Sequence, residues 1–545
     1  MPTESDDRPT SRPARGHLAA AGGLFAFAAL TWAAPGLLAP CAAALGISAV
    51  ARRAGGGWGR PNEAPLLCAA GIAAVLAIAL VHFALVTSGT GELLAESMLG
   101  SAYDALGRSL LSGDTEIPRS AIRWEAFMVD GRPVMYFGAF PALLRIAPNA
   151  LLPSFAGLWS PMAEFLAAML CLLAFLLILQ GALAANPRLA NGQKRCLLTL
   201  SLLGFGFGSP LFFLASEVSI YHEAVFWGLC WGLFGITFAL RLLRGPAVRL
   251  RDLLGLSVVA GAALLSRATF GGPLYLLVAW FGLVAWRDGP ARTRPYAALA
   301  VAPAAAALAF QLWYNEDRFG SITTFIDFQY LGYLARDAAS WSALQENGVF
   351  SVQRLPTALT AYFGALSTDW SGGFPWLRVA PIGDLDPRLY PPIFDHFAIS
   401  LTFSAGWLAL GGIVGTLRLF ATRHAVAWRL AAFAWLAQTA LVLCYYIVAQ
   451  RYAADFVPFF AFGYAVLLGG AGGTRVGRLW IPCLATLVAV AVLVTTLGIL
   501  AYPKHRDLPQ RIFGTASTAA PDDQSAPCGV GTRIVKNPVR PPGSA

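Results

Sequence analysis

The feature that most constrains this chain is a series of apolar runs of roughly 17–25 residues with few charges. That length matches a hydrocarbon core about 30 Å thick at 1.5 Å of rise per helical residue. Inside a bilayer, backbone groups find no water, so such runs are satisfied as helices. They fall near 18–33, 35–50, 65–87, 160–184, 197–216, 224–242, 253–269, 271–286, 297–314, 397–418, 430–449, 457–472 and 479–500. Only 12% of the 545 residues are charged, about half the share of a soluble domain. The expected fold is therefore an all-α polytopic membrane protein with about thirteen transmembrane helices. Residues 18–50 enter that count as a hairpin of two short helices broken around Pro35; read as one long helix they reduce it to twelve.

The connections alternate in character. "ARRAGGGWGR", "NPRLANGQKR", "RLLRGPAVRLRD", "RDGPARTR", "RLFATRHAVAWR" and "TRVGR" are basic. The stretch 88–159, the turn "EVSIYHE", the stretch 315–396 and "QRYAAD" are acidic or mixed. The positive-inside rule places the first set in the cytoplasm and the second outside. This gives a cytoplasmic tail 1–17, a membrane domain 18–500 with long outer loops 88–159 and 315–396, and a Pro/Gly/Ser-rich outer tail 501–545. The net charge of +10 is then a property of cytoplasmic loops, and no nucleic-acid partner is expected. The polar start "MPTESDDRPTSRPARG" followed by a run from Leu18 does not read as a cleaved leader. Eight cysteines without CxxC or CxxH spacing imply neither a disulfide frame nor a zinc site.

In the first outer loop, Leu94, Met98, Tyr103, Leu106 and Leu110 recur at helical spacing. The pattern predicts an amphipathic interfacial helix over 93–111, with Glu96, Asp104 and Arg108 on its polar side. "VDGRP" predicts a turn by its Asp-Gly pair.

Several stretches, in order, resemble the GT-C superfamily of polyprenyl-phosphate-sugar glycosyltransferases, which includes the protein O-mannosyltransferase and aminoarabinose transferase types. They are "AYDALGRSLLSG", "DGRPVMYFGAFPALL", "LLSRATFG", "WYNEDRFGSITTFIDFQY" and "QRYAADFVPFF". Together they span about Leu94 to Phe460. Ala268 stands where the family pattern usually has Pro, and Ile322–Asp327 departs from its "SPxEFG". The resemblance implies a sugar transferred from a polyprenyl-phosphate donor to an acceptor outside a bacterial cytoplasmic membrane, by an inverting mechanism. It also implies a membrane-adjacent carboxylate in the first outer loop as base, and Asp104 matches that position. Glu96, Glu125 and Asp130 are rivals, Asp130 the weakest because Asp-Gly makes an ordinary turn.

The remaining candidates come from charge in unusual places. Arg267 and Arg451 sit at the outer ends of apolar runs, against the positive-inside bias. A guanidinium grips phosphate bidentately and keeps its charge when desolvated; snorkelling to lipid headgroups is the alternative. Lys504 and Arg506 are weaker candidates. Glu217, His222 and Glu223 crowd one short outer turn, where they would bind acceptor or sugar, as would Glu125. Two carboxylates and an imidazole also suit Mg²⁺ or Mn²⁺, and the metal question stays open. The second outer loop carries nine carboxylates against five arginines, and "TDWSGGFPWLR" is aromatic. That stretch reads either as a sugar-stacking platform or as an interfacial belt. A transporter or flippase of a lipid-linked saccharide is the competing function. It would predict mid-span ionisable residues and internal symmetry, neither of which the sequence displays.

Overall fold

The computed structural model describes residues 37–56, 66–365, 368–422, 425–470 and 480–502. The expected first span at 18–33 and the tails 1–17 and 503–545, with Lys504 and Arg506, lie outside them. Among the described residues, nine helices are long and apolar enough to cross a membrane, including Ala69–Val86, Ser160–Ala184, Ile220–Arg244 and Trp480–Ala501. Helices also stand at three other expected segments, Leu38–Gly56, Leu250–Ser266 and Gly406–Ala421. The protein is an all-α polytopic membrane protein. Its apolar outer surface fits that setting: Leu254, Leu283, Leu299, Leu417, Phe433 and Leu493 are all exposed.

Two breaks differ from the expected runs. The 197–216 run is a helix Asn191–Phe207, an extended Gly208–Ser209, and a short turn Pro210–Leu214. The Ser209 hydroxyl caps that turn, and the freed Gly208 carbonyl accepts the indole N–H of Trp407 at 2.8 Å. The 397–418 run is broken at Ala405. Pro303, inside Arg294–Phe319, is accommodated by neighbours. Ser257 Oγ accepts from Ala304 N at 2.9 Å, and Tyr275 OH donates to the Ala304 carbonyl at 2.7 Å. Ser and Tyr side chains of adjacent helices thus restore the pairing that a membrane proline removes.

Helix polarity sets where chemistry is possible. Ile220–Arg244 begins in the "YHE" turn and ends in the basic connection, so its 25 residues separate Tyr221 from Arg244 by about 36 Å. Leu250–Ser266 returns to the first end and Ala268–Asp288 leaves it again, with Arg267 in extended backbone between them. Both long loops join helices at that same end.

The first loop departs from expectation. Its helix is Ser101–Leu111 only. Residues 93–98 are drawn out because their backbone bonds elsewhere: Ala95 N to Leu158 O, Met162 N to Leu93 O and Ile220 N to Met98 O. Leu99 then turns at φ 59°. The Asp-Gly turn is present, with Asp130 at φ 50° and Gly131 at φ 83° joining two short antiparallel strands, Phe127–Val129 and Arg132–Val134.

The tightest helix pair is Gly406–Ala421 on Val457–Leu468. A Cβ at Gly415 would collide with the Gly463 carbonyl, and one at Gly412 with the Phe460 backbone. Small residues here let two backbones approach, the usual device of membrane helix pairs. Gly415→Val is expected to cost about 1–3 kcal/mol by overpacking, read as a lowered thermal midpoint in detergent, whereas Gly406→Ala, with open space beside it, should leave that midpoint unchanged.

Candidate active site

Two cavities adjoin at the loop-bearing end. The larger, about 360 Å³, is mostly apolar and is walled by Leu264, Phe325, Val349, Phe350, Leu441 and Tyr445. Arg267, Arg318 and Arg451 also line it. The smaller, about 150 Å³, is polar and includes Glu125, Glu217, His222, Tyr333 and Asp395. Tyr136, Tyr221 and Arg451 line both and form the threshold between them.

The motifs singled out above meet here from distant parts of the chain. Tyr136, Phe137 and Gly138 come from "DGRPVMYFGAF", Leu264 to Thr269 from "LLSRATF", Arg318 to Ile326 from "DRFGSITTFI", and Arg451 and Tyr452 from "QRYAAD". Gly138 is the contact that permits this closure, since a Cβ there would strike the carbonyls of Leu265 and Ser266.

Arg267 and Arg451 are brought together as expected, with Tyr452 between them: each guanidinium lies 4.8 Å from that ring. They differ in charge partner. Arg267 Nη2 pairs with buried Asp455 at 3.3 Å, an oxygen that also accepts from Thr269 at 3.0 Å. Arg451 makes one long hydrogen bond, to Tyr452 OH at 3.5 Å, stacks 5.0 Å from Tyr221, and has no ion pair among the described residues. Arg318 was not anticipated. It is buried and donates to the carbonyls of Tyr314 (2.9 Å) and Met135 (2.9 Å) and to Asn315 Oδ1 (2.8 Å), again without a carboxylate.

Glu125 faces these cations across the threshold. Tyr221 OH and Tyr333 OH both donate to its Oε1, at 2.7 and 3.3 Å, which leaves Oε2 without a protein partner among the described residues. Burial pushes its carboxyl above the usual range, while the two phenols and Arg451 oppose the shift. Burial, reinforced by Glu125, also raises the Tyr333 phenol, so it stays a donor. The backbone leading to Glu125 is forced: Arg123, two residues before, sits at φ 53°, ψ −117°. Such strain concentrates at functional sites.

Asp104 is placed elsewhere. It is 1% exposed and lines neither cavity. Its Oδ2 accepts from Arg145 at 2.8 Å and its Oδ1 from Asn149 at 2.7 Å. Arg145 also holds Glu223, 0% exposed, at 2.7 Å, and Ser160 Oγ donates to the same carboxylate at 2.9 Å. The expectation that Asp104 lies on a solvated helix face is therefore corrected: the face turns inward against Phe140–Leu151 because Arg145 waits there.

The crowded turn separates in the same way. His222 and Glu217 line the smaller cavity, whereas Glu223, one residue on and about 100° around the helix, is locked onto Arg145. His222 Nδ1 lies 3.1 Å from the Leu214 carbonyl, so it carries the proton and Nε2 is an acceptor. Among the described residues no three His, Cys, Asp or Glu converge as metal ligands. The residues present do not fit the Mg²⁺ or Mn²⁺ expectation. Glu96 is exposed and Asp130 serves the hairpin turn. Trp370, Phe374 and Trp376 are exposed on a second hairpin and line neither cavity.

No protein-family model and no curated protein matches this chain. Among solved structures it is similar to the oligosaccharyltransferase of Archaeoglobus fulgidus (15% identity, TM-score 0.44, 79% of this chain). The chain spans 56% of that protein's length. It is also similar to ArnT from Cupriavidus metallidurans bound to undecaprenyl phosphate, at 13% identity and TM-score 0.41, covering 82% of this chain and 78% of the other.

The Arg145 network makes a direct prediction. Arg145→Met leaves two carboxylates buried together and is expected to cost about 3–5 kcal/mol; Asp104→Asn keeps Arg145 paired with Glu223 and should cost clearly less. Denaturation in detergent compares them.

Proposed function

We propose that the protein is a membrane glycosyltransferase that moves one sugar from a polyprenyl-phosphate donor to a hydroxyl acceptor outside a bacterial cytoplasmic membrane. The observation that carries this reading is the junction of two unlike cavities at Arg451. An apolar chamber with guanidinium groups suits a lipid chain ending in phosphate. A polar chamber with a carboxylate at its entrance suits a sugar and an incoming hydroxyl.

The donor's phosphate would lie between Arg267 and Arg451, with the isoprenoid chain along Leu264, Phe325, Leu441 and Val442. The sugar would cross the threshold beneath Tyr136 and Tyr221. Glu125 Oε2 takes the acceptor's proton as the acceptor oxygen bonds to the anomeric carbon. The bond from that carbon to the phosphate oxygen breaks, and its electron pair stays on the phosphate facing Arg451. A single carboxylate at the junction fits single displacement with inversion, since a covalent intermediate needs a nucleophile and a separate acid–base group. Arg451, without an ion pair in the resting site, contributes most where leaving-group charge develops.

Sugar transfer in vesicles, from a panel of polyprenyl-phosphate sugars, tests this reading. Glu125→Gln is expected to lower turnover by about 10²–10⁴-fold, while folded Asp104→Asn retains most of it. The reverse pattern returns the base to Asp104, and persistence in Glu125→Gln moves it to His222. Absence of transfer together with saccharide movement across the vesicle wall sinks the enzyme reading.

Because burial raises the Glu125 carboxyl, the base form is lost as pH falls through that raised value. The acid limb of the rate profile should stand above the ordinary carboxylate pKa of 4.5. Tyr333→Phe, which removes a bond favouring the ionised form, should move it further up. An acid limb that stays put argues against Glu125.

A further inference from the structure

The cavities carry a charge relation that base catalysis alone does not use. Three guanidinium groups, Arg267, Arg318 and Arg451, line the apolar chamber. Arg267 is neutralised by Asp455 at 3.3 Å. Neither Arg318 nor Arg451 has an ion pair among the described residues, and Glu125 is the carboxylate across the threshold, linked to Arg451 through Tyr221. One ring accepts both: its hydroxyl binds Glu125 at 2.7 Å and its face lies 5.0 Å from the Arg451 guanidinium.

We infer that Glu125 also sets how tightly the chamber holds lipid phosphate: ionised it admits the singly charged donor, and protonated it retains the doubly charged leaving group until its proton departs. This rests on the lipid-phosphate reading above. The bookkeeping of charge follows the reaction. A donor phosphodiester carries one negative charge; cleavage adds a second to the phosphate, and the same step moves the acceptor's proton onto Glu125. The chamber gains one unit of positive potential as the phosphate gains one unit of negative charge, so the pair never faces an uncompensated charge in a low-dielectric site. Loss of the proton from Glu125 to the polar cavity then weakens the grip and frees the product. Base and release trigger are the same side chain.

Other titratable and charged groups surround Glu125. Tyr136 approaches from the segment after the first hairpin, Tyr221 from the start of Ile220–Arg244, Tyr333 from Gly332–Arg336 and Arg451 from Gln450–Phe456. Glu217, His222 and Asp395 share its cavity. A variant at Glu125 alone leaves all of these in place, so the difference between wild type and variant isolates one carboxylate. The ligand's own second ionisation, near pH 6, cancels in the same comparison.

The test is equilibrium binding, by calorimetry in detergent, of farnesyl phosphate and of its monomethyl ester to the full chain and to Glu125→Gln. At pH 8 the variant should bind farnesyl phosphate on the order of tenfold more tightly than wild type, and the singly charged ester with a smaller gain. As pH falls, wild type should converge on the variant. Retained ester binding reports that the variant is folded, and the wild-type pH series against the ester stands independently of any variant. Equal affinities at pH 8, or weaker binding by Glu125→Gln, overturn the inference and leave the lipid-phosphate reading intact. Binding of neither probe to wild type overturns the lipid-phosphate reading itself.

Discussion

The site depends on a guanidinium that never touches it. Arg145, 3% exposed, holds Asp104 from Ser101–Leu111 and Glu223 from Ile220–Arg244, and hydrogen-bonds Ser160 at the head of another membrane helix. A buried cation is tolerated only when paired and hydrogen-bonded, so these carboxylates and this arginine must sit where they do. The consequence is mechanical: the first outer loop is fixed on the bundle. That fixture places Tyr136 to Gly138 against the end of Leu250–Ser266 and swings Glu125 over Arg451.

Around this anchor the protein divides its polar groups by task. Arg145, Asp104 and Glu223 neutralise one another, and Arg318 spends its donors on backbone carbonyls and Asn315. Arg451 and Glu125 Oε2 are the groups left with unspent capacity, on either side of Tyr221. A site whose donors and acceptors are already committed has little to offer a reacting molecule. One with spare capacity in a water-poor enclosure can place it where charge changes.

The sequence already pointed to parts of this. Arg267 and Arg451 stood out because outward arginines oppose the usual charge bias, and the Asp-Gly turn was readable because its backbone demand is local. The ordered motifs named the walls of the cavity before any contact was visible. Asp104 was placed on the wrong face because helical spacing shows a polar stripe but not what packs on it; the partner, Arg145, lies in a segment read only as apolar and aromatic. Glu217, His222 and Glu223 looked like one cluster since sequence adjacency hides a rotation of about 100° per residue. Arg318 and Asp455 lay inside quoted motifs, and their charge in otherwise apolar stretches was the signal available.

By itself the sequence determined the medium and much of the helix pattern, because bilayer thickness and backbone satisfaction act on each apolar run locally. Tertiary structure alone decided which carboxylate meets the cations. That outcome turns on pairings such as Arg145 with Glu223, 78 residues apart, and Thr269 with Asp455, 186 apart. No local pattern encodes such pairings, since burial and partner choice are settled only when the helices pack.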